Sequence, residues 1–292
     1  MLEDQVRPAR HGEDVVAPWR GPRALFGPGL ELWRHRDALR LLVLRDLTVR
    51  YQQSLLGYFW TLLEPLATAA TYWFVFGVLY GDKKPVEGEP YVLFLVSGLF
   101  AWIWVAGVLG DATTALTVQR RLITTIRMPR ELFPIGRVVA KFFEYLASLP
   151  VLILVTLLYH APFGRNLLLL PVAIALQMVF LTGLALLLSA LNVMLRDVER
   201  FVKLLQRILM YGLPVVYPLS KVLDAPLPGW VKTAYQLNPL VGIFELQHAA
   251  WLGRGHLPAM HLVVAAAVGS LGLLVLGAVV FARLEPAVLK EL

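Results

Sequence analysis

The fold of this chain is decided by residues 167–195, which read LLLLPVAIALQMVFLTGLALLLSALNVML. No charged side chain interrupts these 29 residues. A helix rises about 1.5 Å per residue, so about 20 apolar residues cross the roughly 30 Å hydrocarbon core of a bilayer. The stretch therefore predicts a transmembrane helix.

The composition of the whole chain agrees with that prediction. Of 292 residues, 58% are hydrophobic and only 16% are charged, whereas soluble globular proteins are about 45–50% apolar and about 25% charged. This excludes a disordered chain and disfavours an ordinary cytosolic domain. Cysteine is absent, which excludes disulfides, thiolate zinc sites and iron–sulfur clusters. The six histidines have no metal-ligand spacing, so no metal site is predicted.

The hydrophobic pattern predicts an all-α polytopic membrane protein with six transmembrane helices, each end uncertain by about four residues. The spans form a transmembrane domain over residues 55–283, with a short tail over 284–292. The six predicted spans are Leu56–Tyr80, Tyr91–Leu109, Ile135–Tyr159, Leu167–Leu195, Phe201–Tyr217 and Met260–Phe281.

The positions of Lys and Arg predict the orientation. With both termini in the cytoplasm, 20 of the 27 positive charges fall on the cytoplasmic side and six fall outside, with Lys141 inside the third span. The net charge of +7 then reflects cytoplasmic loops, and no nucleic-acid partner is predicted. Residues 1–29 are polar and lack an apolar core, so we expect a disordered tail without a cleavable signal peptide.

Residues 30–54, LELWRHRDALRLLVLRDLTVRYQQS, are helix-like but too charged to span. They predict an interfacial helix on the cytoplasmic leaflet, with Arg36, Arg40 and Arg50 on one arc. Because Arg34 and Arg45 point away from that arc, a solvated cytoplasmic helix remains the alternative.

Two short helices are predicted before the last span. Proline residues divide the segment 218–259, and the pieces GWVKTAYQL (229–237) and PLVGIFELQHAAWL (239–252) are apolar but too short to span. Each is expected to be re-entrant or interfacial.

Several kinds of chemistry are missing from the sequence. The dipeptide Gly-Lys never occurs, so the chain has no P-loop, and DxD, HExxH and GxSxG motifs are absent. Charge inside the spans is sparse: Glu64, which precedes Pro65, lies in the first span, and Lys141 and Glu144 lie in the third. The last two are three residues apart on one helical face and are expected to pair.

Ordered stretches from residue 45 to residue 240 resemble one family. They are RDLTVRYQQSLLGYFWTLLEPL (45–66), MPRELFPIGRVVAKFFEY (128–145), LNVMLRDVERFVKLLQ (191–206), LPVVYP (213–218) and NPL (238–240). The set is similar to ABC-2 type permeases of bacterial polysaccharide exporters, which export O-antigen, capsule or teichoic acid. Glu64 departs from the resemblance, since an apolar or aromatic residue is expected there.

The resemblance implies partners and a mechanism. Such permeases are homodimers in the bacterial inner or plasma membrane, and two copies of a separate ATPase subunit bind the ATP and Mg²⁺. A coupling helix, here about residues 115–128 with Arg120, Arg121 and Arg127, contacts the ATPase. The two short helices over 229–252 match those at the outer mouth of the channel, and the substrate is a lipid-linked polysaccharide moving outward.

Aromatic residues indicate a sugar path. Tyr58, Tyr72, Phe76 and Tyr80 fall within an 80° arc of one helix face. Sugars pack their C–H faces on aromatic rings, and Tyr hydroxyls bond sugar hydroxyls. The four are therefore candidate channel residues. Helix packing and an interfacial aromatic belt remain the alternative.

Other functions remain in competition with glycan export. An ABC-2 exporter of a drug or small lipid would share the fold. A secondary transporter would need mid-membrane ionisable residues or internal repeats. A membrane glycosyltransferase would need a carboxylate or histidine constellation at one surface, and Asp82, Glu87 and Glu89 form the one acidic cluster predicted outside.

Overall fold

The computed structural model describes residues 35–51, 56–80, 90–125, 128–161, 164–195, 197–252 and 257–291, without the side chains of Arg50, Tyr51, Tyr58 and Gly77. The predicted tail over residues 1–29 and the side chains of Arg127 and Tyr58 lie outside this description. In chain order the α-helices are α1 (Arg36–Tyr51), α2 (Trp60–Tyr72), α3 (Tyr91–Thr113), α4 (Ala115–Val118), α5 (Arg120–Thr125), α6 (Leu132–Leu158), α7 (Leu170–Met194), α8 (Asp197–Gly212), α9 (Leu219–Asp224), α10 (Gly229–Gln236), α11 (Pro239–Trp251) and α12 (Met260–Glu291).

Four helices are long and apolar enough to cross a membrane: α3, α6, α7 with the 3₁₀ turn Arg165–Leu169 before it, and α12. They coincide with four of the predicted spans, and the described part of the chain is all-helical. The chain is therefore a multi-pass membrane protein. The last helix continues to Glu291, through residues where the sequence predicts a tail.

The other two predicted spans are helical but differ from the prediction in form. Leu56–Tyr80 becomes α2 followed directly by a π-helix, Trp73–Leu79. Phe201–Tyr217 becomes α8, which starts four residues earlier, with Asp197 and Glu199 in its first turn, where carboxylates stabilise the helix dipole. It ends at Gly212, because Leu213 precedes Pro214 and prolines disfavour helical geometry in the residue before them. The six-span count remains a prediction.

Helix α3 lies at the centre of the bundle. Residues on all of its faces are buried, among them Leu95, Leu99, Trp104 and Val108. Helices α2, α6, α7, α8 and α11 pack around it. A helix that is apolar on every side needs such a position, because it has no polar face to present to water.

A second apolar cluster closes one end of the bundle, which we call the basic end. It joins Leu42 of α1, Leu116 of α4, Ile123 of α5, Phe133 of α6 and Phe281 of α12.

Ion pairs reinforce the basic end. The Arg137 guanidinium of α6 lies 3.2 Å from Asp46 of α1, and Arg130 donates to Glu285 of α12 at 2.8 Å. Both pairs are largely shielded from solvent, so α1 and α12 are fixed to the start of α6.

Helices α7 and α12 are in close backbone contact at two glycines. A Cβ atom on Gly183 would overlap the backbone of Leu273 and Leu274, and one on Gly277 would overlap the Gly183 carbonyl. Small residues permit such backbone contact between membrane helices. Gly272, also on α12, has open space around it.

We expect Gly183→Leu to separate α7 from α12, since the new side chain has no room between the two backbones. Overpacking of this kind costs about 1–3 kcal/mol or more. Thermal unfolding in detergent, followed by tryptophan fluorescence, should show a lower midpoint for Gly183→Leu. Gly272→Leu is the matched control and should change the midpoint little. Equal midpoints for the two variants would contradict the close packing.

Candidate transport path and coupling face

An aromatic ladder begins at the end of α2 and continues along the π-helix that follows it. The rings of Tyr72 and Phe76 stack with centroids 6.0 Å apart, and Phe76 stacks on Tyr80 at 5.8 Å. These are three of the four candidate channel residues, and they share one face as predicted. The π-helix maintains this alignment past Tyr72, and π segments are often found at functional sites.

The ladder continues onto two other helices. Phe76 meets the edge of Tyr91 at 5.0 Å, Tyr91 stacks on Phe94 at 6.3 Å, and Phe94 lies 4.0 Å from the ring of His248 on α11. Tyr80 is 60% exposed, whereas Phe94 and His248 are buried. The aromatic ladder therefore runs from the surface into the core. The sequence did not predict its last three members, because Tyr91 and Phe94 lie on α3 and His248 lies on α11, so no helical spacing connects them to Tyr72, Phe76 and Tyr80.

His248 is held at both ring nitrogens. Its Nε2 is 2.9 Å from the carbonyl oxygen of Pro214, and its Nδ1 is 3.1 Å from the Ser97 hydroxyl. A carbonyl oxygen can only accept, so Nε2 carries a proton. The Ser97 hydroxyl lies between two acceptors, the His248 Nδ1 atom and, at 2.8 Å, the Phe94 carbonyl oxygen. A Cβ on Gly98 would overlap the imidazole, so glycine makes room for this ring.

A buried chain of hydrogen bonds joins four helices beside the ladder. The Tyr145 hydroxyl donates to Gln247 at 2.9 Å, Gln247 donates to Gln177 at 3.1 Å, and Gln177 donates to the Ala101 carbonyl at 2.9 Å. These bonds link α6, α11, α7 and α3. Gln247 and His248 together fix α11 inside the bundle. Helix α10, by contrast, is exposed, with Trp230 74% accessible.

A charged cluster lies between α3 and α6. The Lys141 ammonium is 2.9 Å from Glu144, which confirms the predicted pair, and 3.4 Å from Asp111 of α3. The sequence did not predict the contact with Asp111, since this residue falls just after the predicted second span. Gly107 leaves space for the Lys141 stem, because a Cβ there would overlap it. Within the part of the chain that the structure describes, no group of three or more potential ligands could hold a metal ion.

The predicted coupling segment, residues 115–128, forms two short helices, α4 and α5, rather than one. Ile123 of α5 is buried, while Arg120 and Arg121 are exposed. Gln119 lies between these two helices. With its side-chain amide oriented so that the oxygen faces Arg137 and Arg45, that oxygen accepts from Arg137 at 2.9 Å and from Arg45 at 3.0 Å. The segment is therefore fixed to α6 and α1, and its two arginines remain available at the surface.

Helix α1 coincides with the core of the predicted interfacial helix. Arg36 and Arg40 are exposed, and Arg50 lies outside the described side chains. Leu42 and Val43 are buried against the bundle. The helix thus has one face on protein, with Arg36 and Arg40 exposed.

Comparisons with known proteins agree with this architecture. Residues 37–250 match the family model described as ABC-2 type transporter. The chain is 31% identical over 219 residues to the O-antigen export system permease protein RfbA of Myxococcus xanthus, covering 75% of this chain and 82% of the relative. It is 30% identical over 208 residues to a protein of the same name from Klebsiella pneumoniae, covering 71% and 77%.

The family resemblance seen in the sequence is confirmed by these matches, which extend over α1 through most of α11. The buried α3, the aromatic ladder and the fixed basic segment all lie within the matched range. The chain belongs to the ABC-2 type transporter family.

Proposed function

We propose that the chain is the permease subunit of an ABC exporter that moves a lipid-linked polysaccharide outward across the bacterial inner or plasma membrane. The observation that carries the proposal is the match, over 75% of this chain, to a relative named as an O-antigen export permease. The multi-pass helical fold and the aromatic ladder fit the same function. No feature of the described residues favours a drug or small-lipid exporter over it.

The proposed topology has six spans with both termini in the cytoplasm. Four of the spans are the long apolar helices. The fifth and sixth would be the segment from Gly57 to Leu79 and the helix α8 with the residues after it. In this orientation the basic end faces the cytoplasm, in agreement with the excess of positive charge there. Helix α11, buried among other helices, then acts as a re-entrant segment.

The proposed assembly is a homodimer with two ATPase subunits, which bind the ATP and Mg²⁺. A sequence without a P-loop requires an external source of hydrolysis if transport is ATP-driven. Arg120 and Arg121 are exposed on a segment fixed by Gln119. A force applied there by the ATPase would reach α6 and α1 directly.

The purified chain is expected to hydrolyse no ATP by itself, because it has no nucleotide site. Adding its cognate ATPase subunit in proteoliposomes should restore hydrolysis in a complex that co-elutes with the chain. Phosphate release measures both conditions. Hydrolysis that persists with the chain alone, after removal of contaminating ATPases, would contradict a separate ATPase subunit.

Charge reversal of Arg120 and Arg121 to Glu should weaken binding of the ATPase subunit several-fold without unfolding the spans. The side chains are exposed, so removal of their charge leaves the packed cluster intact. Co-purification with the ATPase measures binding. Arg200→Glu with Lys203→Glu, two exposed positions on α8, is the matched control. Equal recovery of the ATPase by the two double variants would argue against a coupling role.

Replacing Tyr72 and Phe76 with Leu should slow export while leaving the assembled complex intact. Leu retains much of the apolar volume but removes the ring faces, and each lost aromatic contact is worth about 0.5–1.5 kcal/mol. Surface polymer and its cytoplasmic accumulation measure export. The control is Trp73→Leu with Phe74→Leu, since both rings are 51% exposed and neither belongs to the ladder. Normal surface polymer in the Tyr72/Phe76 variant would indicate that the rings of the ladder only pack helices together and do not contact the glycan.

A further inference from the structure

A polar cleft lies between α2, α3 and α6, separate from the aromatic ladder. Its walls include the hydroxyls of Thr61 and Thr68, the carboxylates of Glu64 and Glu144, and the rings of Trp104 and Tyr145. Its volume is about 120 Å³. One water needs roughly 10–15 Å³ on the same measure, so the cleft has room for about the dozen heavy atoms of one sugar ring.

The charges around the cleft select against an anion. Lys141 is the one cation among the lining residues, and its ammonium already binds Glu144 and Asp111. Glu64 adds a further carboxylate, so the lining together with Asp111 holds three acids to one base. A phosphate would be repelled by this surplus. Carboxylates instead accept hydrogen bonds from hydroxyl groups.

Two aromatic rings form part of one wall of the cleft. The ring of Trp104 stacks on Tyr145 at 5.1 Å, and both residues line the cleft. Sugars pack their C–H faces on aromatic rings. The two rings therefore add apolar surface beside the carboxylates, a combination that suits a sugar ring.

We propose that this cleft binds one uncharged, hydroxyl-bearing sugar ring of the exported glycan, and not a phosphate head group of its lipid carrier. Glu64 and Glu144 accept from sugar hydroxyls, and the rings of Trp104 and Tyr145 pack against the C–H face of the sugar. The inference rests on the proposed export of a lipid-linked glycan. It also gives a role to Glu64, the residue that departs from the family resemblance.

Two threonines on α2 provide a matched test. The Thr68 and Thr71 hydroxyls each donate to the carbonyl four residues earlier, at 2.7 and 2.8 Å, but only Thr68 lines the cleft. The chain contains no cysteine, so Thr68→Cys and Thr71→Cys each introduce a single thiol. Maleimide labelling of each variant, in the complete complex, is compared in cells that make the glycan and in cells whose lipid carrier bears no sugar.

The expected result is that glycan synthesis slows labelling of Thr68→Cys several-fold and leaves Thr71→Cys unchanged. Ile103→Cys, on the α3 wall of the cleft and 46% exposed, should be protected in the same way and covers the case in which Thr68→Cys does not fold. Adding Glu64→Gln to the cysteine variants should relieve much of the protection, since the neutral amide is a weaker acceptor than the carboxylate.

Other outcomes would overturn the inference. Equal labelling of Thr68→Cys in the two kinds of cell, at the rate of the purified complex freed of lipid carrier and with normal surface polymer in the cells that make the glycan, would show that the cleft holds no sugar while export itself stands. Labelling that is slower in both kinds of cell than in the carrier-free complex would assign the cleft to the lipid head group. Failure of the unmutated chain to support surface polymer would refute the proposed function, which is a separate result.

Discussion

Polar side chains inside this bundle have no water to bond, and the position of α11 follows from that constraint. Hydrogen-bonding groups in hydrocarbon need protein partners. Gln247 finds Tyr145 and Gln177, and His248 finds Ser97 and the Pro214 carbonyl. With both residues satisfied, α11 becomes an inner helix. That places the imidazole against Phe94 and so determines where the aromatic ladder ends.

On helix α6, buried polar side chains find their protein partners through ion pairs. Arg137 and Lys141 lie one turn apart on it, and they pair with Asp46 of α1 and Asp111 of α3, respectively. Arg130, just before α6, pairs with Glu285 of α12. Shielded ion pairs add little net stability, because desolvation offsets their attraction. Here each ion pair forms only when one particular helix packs against α6 in one register. The pairs therefore determine how the helices dock.

The sequence was sufficient for features that depend on length and composition. Residues 167–195 predict a span without knowledge of any neighbour, and the structure has α7 there. Helices α10 and α11 were also predictable, because Pro228 and Pro239 mark their beginnings, whereas the six-residue α9 before them was not predicted. Lys141 and Glu144 were predictable as a pair since both lie on one helix.

Features formed by contacts between several helices could not be predicted from the sequence. Asp111 lies 30 residues from Lys141, and His248 is more than 150 residues from Phe94, so no periodicity connects them. The break into α4 and α5 and the π-helix after α2 depend on packing rather than on local preference. The cleft lined by Glu64 and Trp104 exists only once the surrounding helices are in place. For the same reason the sequence left Glu64 without an explanation.

The length of helix α12 allows it to contact two distant parts of the bundle. Its 32 residues extend about 48 Å at 1.5 Å per residue. Near its beginning, Gly269 fits against Pro239 of α11, and near its end Glu285 bonds Arg130. These two contacts connect the basic end to the first turn of α11 through one helix. A displacement of the basic end along the axis of α12 would therefore change the position of α11 without any contact to the substrate.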